Sequence, residues 1–224
     1  MTRDDIQRVI NDFAATAKRA RRLGFDAIEL HAAHGYLLHE FLSPLANQRD
    51  DEYGGSIENR MRLLLQIYEV VRAELGPDIA LGVRVTGSDW VEGGWNVDDC
   101  VTLCQRLAAV GADFVDVSSG AVSPLQKISI GPGYQVAFAE RVKQAVSMPV
   151  ITVGMITEPQ QAEDILQAGD ADLIALARAF LYNPRWGWHA AAALGGQVEG
   201  NPVYWRCLPR EAQSVFGKVA VGTR

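Results

Sequence analysis

The chain has 224 residues, 48% of them hydrophobic and 21% charged, and a net charge of −6 at pH 7. That is globular composition for one domain or one and a half, and the acidic balance speaks against nucleic acid or an anionic membrane as a main partner. No apolar run approaches the ~20 residues that a membrane span needs, and the N-terminal "MTRDDIQRV" has no apolar signal region and reads as cytoplasmic.

Residues 3–22 have helical periodicity, and Gly24 closes them. The apolar run "DAIELH" (26–31) is the first strand, followed by an irregular loop in which His39 and Glu40 continue into helix. Ser56 is a good N-cap for a helix to Leu75, because Ile57, Met61, Leu64, Tyr68, Val71 and Leu75 step by four and three. "ALGVRV" (80–85) is the next strand. Val97, Val101, Cys104 and Ala108 mark a helix that Gly111 stops, and "FVDVSS" (114–119) follows as a strand. A Gly/Pro loop leads to a helix over 135–146. Then come the strand "VITVG" (150–154), a helix over 158–168, the strand "DLIALAR" (172–178) and a helix over 184–194. The tail beyond Gly196 has no clear period but carries Tyr204, Trp205 and Phe216. The three cysteines are an odd set without disulfide spacing, and Cys100 and Cys104 read as buried free thiols.

Five short strands alternating with amphipathic helices make a parallel sheet of βα units. A doubly wound sheet carries a Gly-rich fingerprint after its first strand, which is missing here. A TIM-type (β/α)8 barrel instead places polar residues at many C-terminal strand ends. His31, His34, Arg84, Ser118, Ser119, Gly154 and Arg178 all fall there. The expectation is therefore a barrel fold of which this chain holds five βα units out of eight.

Two imidazoles at one strand end, His31 and His34, can hold one carbonyl or phenolate oxygen as negative charge develops, with Tyr36 as general acid. The alternatives are satisfied loop histidines or a metal pair, and the metal reading lacks a third ligand of defined spacing. Arg84 inside an apolar strand needs an anion or an internal ion pair, for instance with Glu29. Gly154 and Arg178 open the last two βα loops, the usual phosphate site of a barrel.

Together, "HAAHGYLLHEFLSPLANQRDDEYGGSIENR", "GVRVTGSDW", "VITVGMI" and "ALARAFLYNPRWGWHAA" closely resemble the Old Yellow Enzyme family of FMN-dependent ene-reductases. The tail "NPVYWRCLPRE" is similar to its thermophilic-like branch, which includes the xenobiotic reductases. The resemblance implies FMN as cofactor, NADPH or NADH as reductant, and a small-molecule substrate with an activated C=C bond, such as an enone. It implies that His31 and His34 bind the substrate oxygen, that Tyr36 is the proton donor, and that Arg84 meets the flavin pyrimidine edge. It also implies that Gly154, Ala177 and Arg178 grip the phosphate. Many relatives have glycine where Ala177 stands, which is tolerable if the backbone angles there are ordinary.

The family's barrel starts about three βα units earlier. Residues 1–196 are thus expected to be the C-terminal five-eighths of a flavin barrel, and 197–224 a tail that reaches a neighbouring subunit. A homo-oligomer or a complementing N-terminal fragment would be the partner. Two rivals stand beside this reading: a non-catalytic remnant or half of a split enzyme, and a barrel aldolase or isomerase acting on a phosphorylated substrate. The latter would want a lysine at a strand end, whereas Lys18, Lys127, Lys143 and Lys218 fall in helices, a loop and the tail.

Overall fold

The computed structural model describes residues 1–217. Helix α1 (Arg3–Leu23) opens with a capping box between Thr2 and Asp5 and closes on Gly24, which is left-handed at φ 81. Strand β1 (Ala27–Ala32) and the short helix α2 (Leu37–Leu42) follow. Helix α3 (Ile57–Leu75) starts at Ser56, whose side chain accepts from the Asn59 N–H. Strand β2 (Ala80–Thr86), helix α4 (Val97–Ala109), strand β3 (Phe114–Ser118), helix α5 (Val136–Lys143) and strand β4 (Val150–Val153) continue the alternation. Helix α6 (Pro159–Ala168), strand β5 (Leu173–Ala175), and helices α7 (Arg178–Tyr182) and α8 (Trp186–Leu194) complete it.

The five strands form one parallel sheet in sequence order, β1-β2-β3-β4-β5. Register places His31 opposite Arg84, Arg84 opposite Asp116, Asp116 opposite Ile151 and Ile151 opposite Leu173. Strand side chains alternate between faces, so the other set (Leu30, Val83, Val115 and Val150) points the opposite way. Each of these is at most 4% exposed, in the core shared with α1, α3 and α4. A smaller cluster of Ile156, Ala162, Ile165 and Ala171 serves the β5 end. Cys100 and Cys104 are buried free thiols on α4.

Three expectations are corrected. The strand expected over 172–178 is only three residues long, since its one neighbour, β4, ends at Val153 and leaves it three pairing partners. Beyond that pairing the chain turns, and Arg178 opens α7 rather than ending a strand. The last helix starts two residues later than expected, at Trp186. The tail, expected to be aperiodic, forms two 3-10 turns, Pro202–Tyr204 and Arg210–Phe216. Its aromatics pack back on α8: the Trp188 ring lies 5.7 Å from Tyr204 and 4.9 Å from Phe216, and Arg185 sits between Trp188 and Tyr204. Lys218 lies outside the described residues. No helix among them is long and apolar enough to cross a membrane.

Candidate active site

The loops that leave the C-terminal ends of the first four strands share one feature. Each holds a non-glycine residue at positive φ: His34 (60) after β1, Trp90 (57) after β2, Ala121 (75) after β3 and Met155 (48) after β4. Such conformations are costly and gather at functional sites. The strain lies on the face where a barrel builds its active site.

His31 is the last residue but one of β1 and His34 sits on the loop beyond it, with ring centroids 5.2 Å apart. The Tyr36 ring lies 5.4 Å from that of His31, and Tyr36 is 65% exposed at the start of α2. His34 is anchored twice. Its N–H donates to Thr86 Oγ1 at 3.2 Å, and its Nε2 lies 2.7 Å from Ser118 Oγ. Among the described residues its Nδ1 and both ring nitrogens of His31 have no hydrogen-bond partner, so they are available to a ligand. Burial, followed by the charge of Arg84, pushes His34 down to about 4 and lowers His31 as well. Two neutral imidazoles thus stand side by side at neutral pH.

Arg84 reaches Asp116 on the adjacent strand, Nε to Oδ2 at 3.2 Å. Glu29, named as one example of an internal ion-pair partner, is not the residue it meets: the register sets Arg84 level with Asp116 and Glu29 level with Gly82. The contact lacks hydrogen-bond geometry and leaves Arg84 Nε an orphaned buried donor. Burial raises the Asp116 carboxyl, with Arg84 opposing. Glu29 touches solvent at the open edge, yet burial by the strands around it, with Asp116 second, pushes its carboxyl up to about 7.

Gly154, Ala177 and Arg178 meet in a cavity of about 680 Å³ at the ends of β4 and β5, with Met155, Trp186 and His189 in its wall. Gly154 has φ 123, and a Cβ there would lie 2.5 Å from Gln135 Nε2, so only glycine fits. Ala177 has φ −112 and needs no glycine. Lys143 Nζ is bound to Asp172, just ahead of β5, at 2.7 Å, so this lysine sits at the opposite end of the sheet from the histidines.

The motif reading missed a polar relay that joins the two halves of this face. Trp90 Nε1–H donates to Ser119 Oγ (2.8 Å), Ser119 to Gln135 Oε1 (2.5 Å), and Gln135 Nε2–H to the Val153 carbonyl (2.9 Å). Ser118 and Ser119 were visible as polar residues at a strand end. Gln135, 3% exposed, lies in a Gly/Pro-rich loop, and nothing local marks it.

Five consecutive parallel βα units with their polar residues at the C-terminal strand ends define part of a TIM-type barrel. The sequence pattern of the NADH:flavin oxidoreductase / NADH oxidase family matches residues 1–195. The chain belongs to that family. It is 47% identical over 206 residues to the NADPH dehydrogenase of Geobacillus thermodenitrificans, a match covering 92% of this chain and 60% of that protein. It therefore spans about three fifths of the length of that relative. Among solved structures, 2-naphthoyl-CoA reductase superposes with a TM-score of 0.80 at 29% identity, over 88% of this chain and 30% of that one. The old yellow enzyme homologue from Zymomonas mobilis gives 0.72 at 25% identity, over 98% and 61%.

Proposed function

We propose that this chain supplies the substrate-oxygen site and the phosphate grip of an FMN-dependent oxidoreductase. Its reductant is NADPH or NADH, and its substrates are activated alkenes such as enones and nitroalkenes. The observation that carries the reading is the His31–His34 pair, two neutral imidazoles 5.2 Å apart at the mouth of the sheet. Neutral ring N–H donors favour an oxygen that gains negative charge during reaction. Tyr36, exposed beside His31, holds a phenolic proton within reach of the same opening.

The residues present fit FMN. The cavity at Gly154, Ala177 and Arg178 has the size of a small-molecule site and one exposed guanidinium for a phosphate. The orphaned Arg84 Nε, on the strand position paired with His31, offers a donor to a polar ring edge. FMN, when bound, supplies the hydride chemistry. The name of the Geobacillus relative supports NADPH as reductant. Residues 197–224 are proposed as the part that meets a neighbouring subunit, and the 77% exposure of Val203 favours this.

The test uses a fusion of this chain to the portion of the Geobacillus relative outside the match. The fusion should be yellow, oxidise NADPH when 2-cyclohexenone is added, and bind phenols with a long-wavelength absorbance. His31→Ala should slow alkene reduction by ~10²–10³ while flavin reduction by NADPH changes far less. A His31→Ala protein with unaltered phenol affinity and turnover would remove the assignment.

A further inference from the structure

Behind the His31–His34–Tyr36 loop lies a histidine–carboxylate couple that the proposed chemistry does not use. His39 and Asp89 are both 0% exposed, with Nε2 and Oδ1 3.0 Å apart. Asp89 Oδ2 accepts from Ser43 Oγ at 2.6 Å and from the Trp95 N–H at 2.8 Å. The other ring nitrogen, His39 Nδ1, accepts the Gly35 N–H at 2.8 Å. A backbone N–H can only donate, so Nδ1 is bare and the ring proton sits on Nε2, facing Asp89. That approach is off hydrogen-bond angle, and both atoms otherwise lack partners. The carboxylate therefore acts on the N–H through charge in a dry site, where such interactions are strong.

Gly35 is the hinge between His34 and Tyr36. His34 and Gly35 are both left-handed, at φ 60 and 73. A run of this kind persists only where its surroundings hold it. One side is closed by the β3 loop, since a Cβ on Gly35 would lie 2.5 Å from the Ala121 carbonyl oxygen. The other side is His39.

We infer that His39, its tautomer set by Asp89, is a positioning residue for the substrate-oxygen site. It holds the Gly35 N–H so that the His34 ring and the Tyr36 phenol face one opening. The inference rests on the proposed reading of His31, His34 and Tyr36.

The test measures two things: amide hydrogen exchange of the 33–37 segment in the chain as it is, and phenol affinity in the FMN-loaded fusion. His39→Leu should speed exchange and weaken phenol binding about tenfold, the equilibrium equivalent of one hydrogen bond. His39→Asn places an amide oxygen where Nδ1 was and should restore both. Asp89→Asn should shift both in the same direction as leucine, by less. Unchanged exchange and affinity in His39→Leu would overturn the inference. So would a folded His39→Asn protein that restores neither. If His39→Leu does not fold, the asparagine variant alone decides, with loss of phenol binding counting against. His31→Ala in the same fusion separates the two readings. If it too leaves phenol binding intact, the site assignment has failed; if it abolishes binding while His39→Leu does not, only the positioning role has.

Discussion

At the scale of single residues, His34 and Glu29 pull stability in opposite directions as pH changes. The His34 imidazole falls from 6.5 to about 4 on folding, chiefly because charging it would cost hydration. Between those values the unfolded chain binds more protons, so the contribution of His34 is fully present above pH 6.5 and is lost as pH falls through 4. The Glu29 carboxyl rises from 4.5 to about 7. There the folded chain binds more protons, so its contribution is present below 4.5 and is lost as pH rises through 7. The two slopes overlap and offset each other in the wild type. His34→Gln should leave a protein whose melting temperature falls as pH rises from 4.5 to 7. Glu29→Gln should leave one whose melting temperature rises from 4 to 6.5. Solvent at the open edge screens Glu29, so unmasking its slope should give the smaller change. Melting curves across this range check the signs, and reversed slopes would remove the account.

At the scale of elements, two of the strands, β2 and β4, are each seated by an aspartate just before the next strand. Asp113, ahead of β3, accepts the N–H of Leu81 in β2 at 2.7 Å and is paired with Arg72 of α3. Asp172, ahead of β5, accepts the Val150 N–H in β4 at 2.8 Å and is bound by Lys143 of α5. One side chain thus ties a strand start, the neighbouring strand and a helix. It satisfies a backbone donor that the ladder leaves open at the N-terminal end of the sheet. Asp113→Ala should cost about 1–3 kcal/mol in urea unfolding, the usual penalty for stranding a donor whose residue is buried; Leu81 is 0% exposed. Asp113→Asn keeps an acceptor and should cost less. Equal losses for the two variants would assign the effect to the ion pair instead of the Leu81 bond.

At the scale of the whole molecule, the described sheet has two unpaired edges. A parallel sheet normally has both faces covered, and a closed barrel has no edges. Here β1 and β5 are open, and apolar side chains near them meet solvent: Phe25 at 55%, Leu173 at 50% and Leu181 at 82%. Edges of that kind pair with other chains. The chain on its own should therefore sediment as a dimer or larger species at micromolar concentration. Lysine at Leu173, placing charge on the β5 edge, should shift it toward monomer. A monodisperse monomer of the unaltered chain would contradict this.

The βα alternation, the caps at Ser56 and Gly24, and the placing of His31, Arg84, Ser118 and Gly154 at strand ends were all legible in the sequence. These features depend on periodicity and turn chemistry within a few residues. The likeness of the His31–Tyr36 block to a flavoenzyme family was legible as well, because that motif is contiguous. The partner of Arg84 was not. It follows from the register of β2 on β3, which is set by packing across the sheet. Nor was the length of β5, since a strand needs a neighbour and the local sequence does not say how many it has. His34 meets Ser118 across 84 positions and His39 meets Asp89 across 50. Such contacts exist only once the strands are ordered side by side, so the tertiary structure alone decided which polar groups share the mouth of the sheet.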